Sequence, residues 1–262
     1  MNSYKILFLD IDGTIIRPDN TIEDSTKKAV SQVQQIGIEA VLATGRPIHE
    51  IADIARSLNI DSFIGYNGAY AVYRGIDLFK KPMSRESVEY FLKTAKQHKH
   101  ELVMYSSTKN HLTAMDTPSM EAFKQKFHLY QNERYTSSVL DEILGMTIIA
   151  SSENDASLYN TGKDVYLSQV NMEGFHHCFD VIRDNVNKGT GVHALLQKLN
   201  IPREAAIAFG DGMNDKEMLA AVGESYAMGN STPELFSYAK NKTTDVTNSG
   251  VYNGLRSLGL LD

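Results

Sequence analysis

Lys5-Ile6-Leu7-Phe8-Leu9-Asp10-Ile11-Asp12-Gly13-Thr14 is the stretch whose reading decides the fold. Four consecutive apolar residues run into two carboxylates one residue apart. A near-continuous apolar run predicts a strand buried on both faces, as in a parallel sheet. Asp10 and Asp12 then stand just beyond its carboxyl end, where open α/β sheets place their ligands. Gly13 allows the sharp turn away. Two like charges this close repel, and a divalent cation would relieve them. Oxygen-only donors suit a hard ion such as Mg²⁺ rather than zinc. The same residues could also form no more than a polar turn. A calcium loop is disfavoured, because Ile15, Ile16 and Arg17 stand where further acids would be needed.

Working outward, Arg17-Pro18-Asp19-Asn20 reads as a turn and Glu23 to Ile36 as a helix stopped by Gly37. Ile38 to Ala43 is a second buried strand, ending in Thr44-Gly45-Arg46-Pro47. Pro47 suits the first turn of a helix reaching Leu58. Ser62 to Gly65 is a third strand, followed by Tyr66-Asn67-Gly68-Ala69. Strand, helix, strand, helix, strand predicts a doubly wound parallel sheet.

Near Lys80-Lys81-Pro82 the rhythm changes. An amphipathic helix over Ser84–His98 precedes paired strands at Glu101–Tyr105 and His111–Ala114, then a helix over Thr117–Phe127. Strands follow at Met146–Ala150, Val165–Val170 and His176–Ile182, with a short helix near Glu153–Tyr159. This mixture reads as a separate α+β domain inserted into the first, so the expected division is 1–81 and 184–262 for the core and 82–183 for the insertion. The α/β pattern resumes at Lys188-Gly189, with a helix over Thr190–Leu199. A strand over Ala205–Phe209 runs into Gly210-Asp211-Gly212-Met213-Asn214-Asp215, followed by a helix over Asp215–Val222. Next come a strand over Ser225–Met228, a helix from Pro233 and a closing one over Gly250–Leu258.

The 262 residues are 42% hydrophobic and 22% charged, with a net charge of −6, which fits a soluble chain of two domains. Acids and bases are interspersed, so no basic face for nucleic acid is expected. The single cysteine, Cys178, excludes an internal disulfide and a Cys-based zinc cluster. The chain enters its first strand without a signal-like pattern, and no apolar run approaches membrane-spanning length. Cytosol is the expected compartment. His176-His177-Cys178 could suggest a metal site, but on a strand alternate side chains point opposite ways.

Three strand ends and one helix start therefore carry suggestive groups, and a parallel sheet can bring them to one edge. They are Asp10 and Asp12, then Thr44 with Gly45, then Lys188 opening a helix, then Asp211 and Asp215. Taken singly, each has an ordinary reading as a cap, a solvated lysine or a polar loop. In this order, the motifs LDIDGT, ATGR, NKG and GDGMND resemble those of the haloacid dehalogenase-like phosphohydrolases. The insertion after FIGYNGA is similar to the second cap type (IIB) of that superfamily, in its Cof-like, sugar-phosphatase branch. The motifs span Asp10 to Asp215, so the resemblance covers essentially the whole chain.

The resemblance implies a Rossmann-like core with a cap and a Mg²⁺-dependent phosphatase acting on small phosphorylated metabolites. Sugar phosphates are the first expectation, with pyridoxal phosphate or flavin mononucleotide next. It gives Asp10 the role of nucleophile, forming an aspartyl-phosphate, and Asp12 that of acid and then base. Thr44, Gly45 and Lys188 would hold the phosphoryl oxygens. The metal would take the Asp10 carboxylate, the Asp12 carbonyl and Asp211, with Asp215 holding a metal-bound water or Lys188. Asn214, Arg46 and Asn67 are further candidates for substrate contact, although Arg46 could equally form a surface ion pair. His111, Asp116, Tyr105 and Glu153 are candidates in the cap. Asn248 departs from the pattern, standing where many relatives carry an acid. A phosphomutase would use the same core, and a non-catalytic sensor of phosphorylated ligands would lack Asp10 or Asp12. The sequence leaves the oligomeric state open.

Overall fold

The computed structural model describes residues 4–159 and 164–261. Its strands, in chain order, begin with β1 (Ile6–Leu9), β2 (Glu39–Ala43), β3 (Phe63–Gly65), β4 (Tyr70–Tyr73) and β5 (Ile76–Lys80). Then come β6 (Glu101–Tyr105), β7 (Asn110–Leu112), β8 (Asn132–Arg134), β9 (Gly145–Ile149), β10 (Val165–Gln169) and β11 (Cys178–Arg183). The last are β12 (Ala206–Gly210), β13 (Glu224–Ala227) and β14 (Asn241–Lys242). The helices are α1 (Asp24–Gln35), α2 (Ala52–Ser57), α3 (Arg85–His98), α4 (Pro118–Lys126), α5 (Lys188–Leu199), α6 (Lys216–Ala221) and α7 (Gly250–Ser257).

Two compact units result. The first takes residues 4–46, 52–79 and 187–261, the second 47–51, 80–159 and 164–186. In the first, an eight-stranded sheet runs in the order β14-β13-β12-β1-β2-β3-β4-β5. From β14 to β3 every pairing is parallel. Ile6, Phe8, Val41 and Ala43 share a cluster with Val192 and Leu195 of α5 and with Met218 and Leu219 of α6. Their alternates Leu7, Leu9 and Leu42 point to the opposite face and are equally buried. This is the doubly wound sheet that the apolar run of β1 predicts.

Strands β4 and β5 are not anticipated by the sequence pattern. They are joined by Arg74-Gly75, both with positive φ (48° and 74°). A two-residue hairpin loop with this geometry ordinarily carries Asn-Gly, and Arg in its first position hides the signal. Here Arg74 is held by Glu39, whose Oε2 accepts from Nε and Nη2 at 3.0 and 2.7 Å.

The second unit is a six-stranded sheet in the order β10-β11-β9-β6-β7-β8. Leu102 and Met104 pack with Val88 and Phe91 of α3, while Val103 packs with Met120 and Phe123 of α4 on the other face. Helix α3 starts where Ser84 accepts from the Ser87 amide, and α4 where Thr117 accepts from the Met120 amide. The strand expected from His176 begins at Cys178, so the two histidines precede it. The helix expected from Pro47 to Leu58 is broken into a 3₁₀ turn at Ile48–Glu50 and α2. Its first turn packs in the second unit instead. His49 Nε2 lies 2.9 Å from Asn110 Oδ1, and Glu50 Oε1 accepts from Asn110 Nδ2 at 2.6 Å and from the Tyr130 amide at 3.2 Å. Beyond Pro233 only a 3₁₀ turn at Leu235–Ser237 forms in place of a helix.

Candidate active site

Every group in the first unit's site sits at the carboxyl ends of β1, β2, β3, β12 or β13, or on the first turn of α5. Asp10 follows β1 directly, is 5% exposed, and its amide donates to Phe209 of the neighbouring strand at 3.1 Å. Lys188 occupies the first turn of α5. That helix is capped by Asn187, whose Oδ1 accepts from the Thr190 amide at 2.9 Å, while Thr190 Oγ1 accepts from the Asn187 amide. The lysine is fully buried and donates to Asp10 Oδ1 at 2.5 Å and to Asp215 Oδ1 at 2.6 Å. The other oxygen of Asp215 accepts from the amides of Asp211 and Gly212 at 3.0 and 3.1 Å. Asp215 thus fixes both the lysine and the loop that carries Asp211.

One oxygen each of Asp10, Asp211 and Asp215 lies within 4.8 Å of the others. Burial pushes the Asp10 carboxyl well above the carboxylate range, and the Asp215 charge adds to this against the pull of Lys188. Burial and Asp215 likewise push Asp211 up to about 6. Burial opposes the charge on Lys188, but Asp10 and Asp215 together hold it protonated. Three carboxylates against one ammonium leave negative charge in excess. A hard divalent cation beside Asp10 and Asp211 fits that donor set. Asp215 is already committed to Lys188 and two amides.

Two residues that sequence reasoning passed over complete the cluster. Thr14, fully buried, donates from Oγ1 to Asp211 Oδ1 at 3.1 Å. Asn230 donates from Nδ2 to Asp211 Oδ2 at 3.2 Å and to the Gly13 carbonyl at 2.9 Å. The available signal was position, since Asn230 closes the turn after β13, on the edge that holds the other acids. Gly13 has φ 82°, and a Cβ there would stand 2.1 Å from Asp211 Oδ2, so the turn after Asp12 excludes a side chain.

Thr44 is 1% exposed at the end of β2, and its Oγ1 accepts from the Arg46 amide at 3.0 Å. Its carbonyl accepts from the Asn67 amide at 3.1 Å. Tyr66, Asn67 and Gly68 are three successive left-handed residues, with φ of 54°, 51° and 99°. This turn brings Asn67 Oδ1 to within 3.0 Å of where a Gly45 Cβ would lie, and leaves that oxygen buried without a hydrogen-bond donor. Asp12 is exposed, and its carboxylate is gripped by Arg46: Nε donates to Oδ2 at 2.8 Å and Nη2 to Oδ1. Asn214 is exposed on the β12 loop. In the second unit, Tyr105 hydroxyl meets Thr147 Oγ1 at 2.8 Å, which donates to Asp180 at 2.6 Å. His111 is buried with Nε2 2.9 Å from Ser106 Oγ, whereas Asp116 and Glu153 are exposed.

A parallel sheet whose carboxyl edge gathers an acid pair, a buried lysine and two further aspartates is the core of an enzyme, here carrying an inserted α+β unit. The chain belongs to the haloacid dehalogenase-like hydrolases, whose family description matches residues 7–255. It is 29% identical over 262 residues to YkrA of Bacillus subtilis (strain 168), a phosphatase by name, with 98% of each chain covered. A hypothetical protein from Geobacillus kaustophilus HTA426 superposes with a TM-score of 0.89 at 29% identity, covering 98% of this chain and 100% of the other. A sugar phosphatase of HAD subclass IIB superposes at 0.81 with 21% identity, covering 98% and 100%. The protein is a Cof-like phosphoric monoester hydrolase. Among the described residues no helix is long and apolar enough to cross a membrane.

Proposed function

We propose that the first unit is the catalytic core of a Mg²⁺-dependent, cytosolic phosphatase for small phosphorylated metabolites, sugar phosphates first. The segment 82–183 would act as its cap. The observation that carries this reading is the buried ammonium of Lys188 shared by Asp10 and Asp215. A carboxylate held at 2.5 Å from a fixed cation is oriented and charge-compensated for attack on phosphorus. The Asp10 oxygen would bond to phosphorus as the P–O bond to the leaving group breaks, and Asp12 would give that oxygen a proton. Water would then attack the aspartyl-phosphate and lose its proton to Asp12. Inorganic phosphate departs and the Asp10 carboxylate is regenerated. Thr44, the Gly45 amide and Lys188 would contact the equatorial oxygens. Asn67, with its orphaned Oδ1, would accept from a substrate hydroxyl, and Asn214 would lie beside the phosphate. Mg²⁺, held by Asp10, Asp211 and the Asp12 carbonyl with Asp215 behind them, would neutralise phosphate charge. The lining of the second unit, Tyr105 among it, would select the leaving group.

The test is phosphate release from a panel of phosphorylated metabolites, with Mg²⁺ and with excess chelator. Sugar phosphates should be turned over with Mg²⁺ and abandoned with chelator. Full turnover in chelator would remove the metal from the scheme, and no release from any substrate would remove hydrolysis.

A further inference from the structure

Arg46 lies two residues after Thr44, at the end of the second motif, and its guanidinium takes both oxygens of the Asp12 carboxylate. Its backbone is anchored at both ends. The amide donates to Thr44 Oγ1 at 3.0 Å, and the carbonyl accepts from the Tyr66 amide at 3.3 Å. The side chain, by contrast, is 37% exposed and that of Asp12 56% exposed. An ion pair this open to water contributes little to stability. The pair therefore has a fixed pivot and a movable arm, and the arm rests on a motif carboxylate that Lys188 does not bond.

That resting place conflicts with the chemistry assigned to Asp12. As a base, Asp12 has both oxygens already in hydrogen bonds. As an acid, it would carry a proton where Arg46 has aimed two of its own. The fork must open before Asp12 can serve a leaving oxygen. A phosphate dianion is the competitor that can open it, because it carries more charge than a carboxylate and accepts the same two-pronged fork.

We infer that Arg46 is an exchange switch: it clamps Asp12 in the free enzyme and passes to the substrate's phosphate on binding, which releases Asp12 for proton transfer. This rests on the phosphatase reading, in which Asp12 is the acid and base. Arg46 is then a substrate-binding residue whose second role is to keep Asp12 aimed but idle.

The exchange is read by equilibrium binding of inorganic phosphate in the presence of Mg²⁺, without turnover. Wild type, Asp12→Asn, Arg46→Gln and the double variant form a cycle, with Arg46→Lys keeping the charge but losing the fork. Both side chains are exposed, and thermal melting checks that every variant folds. If Arg46 must leave Asp12 to hold phosphate, Asp12→Asn should tighten phosphate on the order of tenfold, and that gain should vanish in the Arg46→Gln background. Arg46→Gln alone should weaken binding, and Arg46→Lys should fall between. An equal gain from Asp12→Asn with and without Arg46 would mean simple charge repulsion and would overturn the switch. So would unchanged phosphate binding in Arg46→Gln. The substrate panel is scored separately: coupling in the cycle without hydrolysis of any substrate defeats the phosphatase reading, whereas hydrolysis with an additive cycle defeats only the switch.

Discussion

Lys188 in the first unit and Asn110 in the second are both fully buried polar side chains, held in opposite ways. Lys188 carries a full charge and is answered by two carboxylates, with Asp211 close by, so the local sum stays negative. Asn110 is neutral. Its Oδ1 meets His49, and its Nδ2 donates to Glu50 and to Asn132 at 3.0 Å. The first arrangement leaves charge for an incoming group to balance. The second satisfies its atoms among themselves and fastens the 3₁₀ turn at Ile48–Glu50 to the sheet. Buried polarity is thus spent on reactivity in one unit and on attachment in the other.

The largest effect expected of that difference lies in Asp10. Asp10→Asn keeps the shape and most hydrogen-bond capacity but removes the charge that the proposed mechanism uses for attack. Phosphate release should fall on the order of 10⁴-fold or more, with the melting temperature little changed. A variant hydrolysing at the wild-type rate would show that the charged cluster is structural too, and the contrast would disappear.

Stability gives the next contrast. Lys188→Met leaves Asp10 and Asp215 buried without their cation, and breaking such a pair costs about 3–5 kcal/mol. Asn110→Leu removes one hydrogen bond each from the Glu50 carboxylate, the Asn132 side-chain oxygen and the His49 ring, for about 1–3 kcal/mol. Urea unfolding of the two variants should rank them in that order. Equal losses, or a mild Lys188→Met, would mean that the first unit tolerates its excess charge by means other than the lysine.

The same contrast governs what the sequence revealed. The acids, the lysine and the glycines of the first unit come in short motifs at strand ends, because each must reach one edge from a parallel strand. Their spacing therefore carries the geometry. Thr14 and Asn230 escaped notice because each is a single ordinary polar residue, given meaning only by where the sheet places Asp211. The attachment in the second unit was hidden for another reason. Asn110 is 61 residues from His49 and 60 from Glu50, and no periodicity links them. What the pattern beyond Pro47 predicted was a continuous helix, and side-chain bonds to a distant strand broke its first turn. The β4–β5 hairpin was lost to one residue, an arginine in a left-handed position stabilised by Glu39.

Acidification should separate the units by sign, with the smallest amplitude of these effects. In the second unit His49, His100 and His111 are all depressed below the ordinary imidazole value, in each case mainly by burial, and these three outweigh the opposite contribution of Asp180, whose buried carboxyl is raised. A depressed histidine contributes stability that is complete above its unfolded value of about 6.5 and is lost as pH falls through the folded value. In the first unit, Asp10 is raised and Asp211 is raised to about 6, with burial as the chief cause. A raised carboxyl favours the fold most below its unfolded value of about 3.9, and that contribution is lost as pH rises through the folded value. Between pH 7 and 5 the second unit should therefore lose stability while the first holds or gains. Native-state hydrogen exchange at the two pH values, corrected for intrinsic rates, reads each unit's amides separately. Protection should drop on β6, β7 and α3 and be retained on β1 and β12. A fall of equal size in both units would mean that the first unit's carboxyls are not carrying the uncompensated charge assigned to them, and with it would go the reason for a cation at that edge.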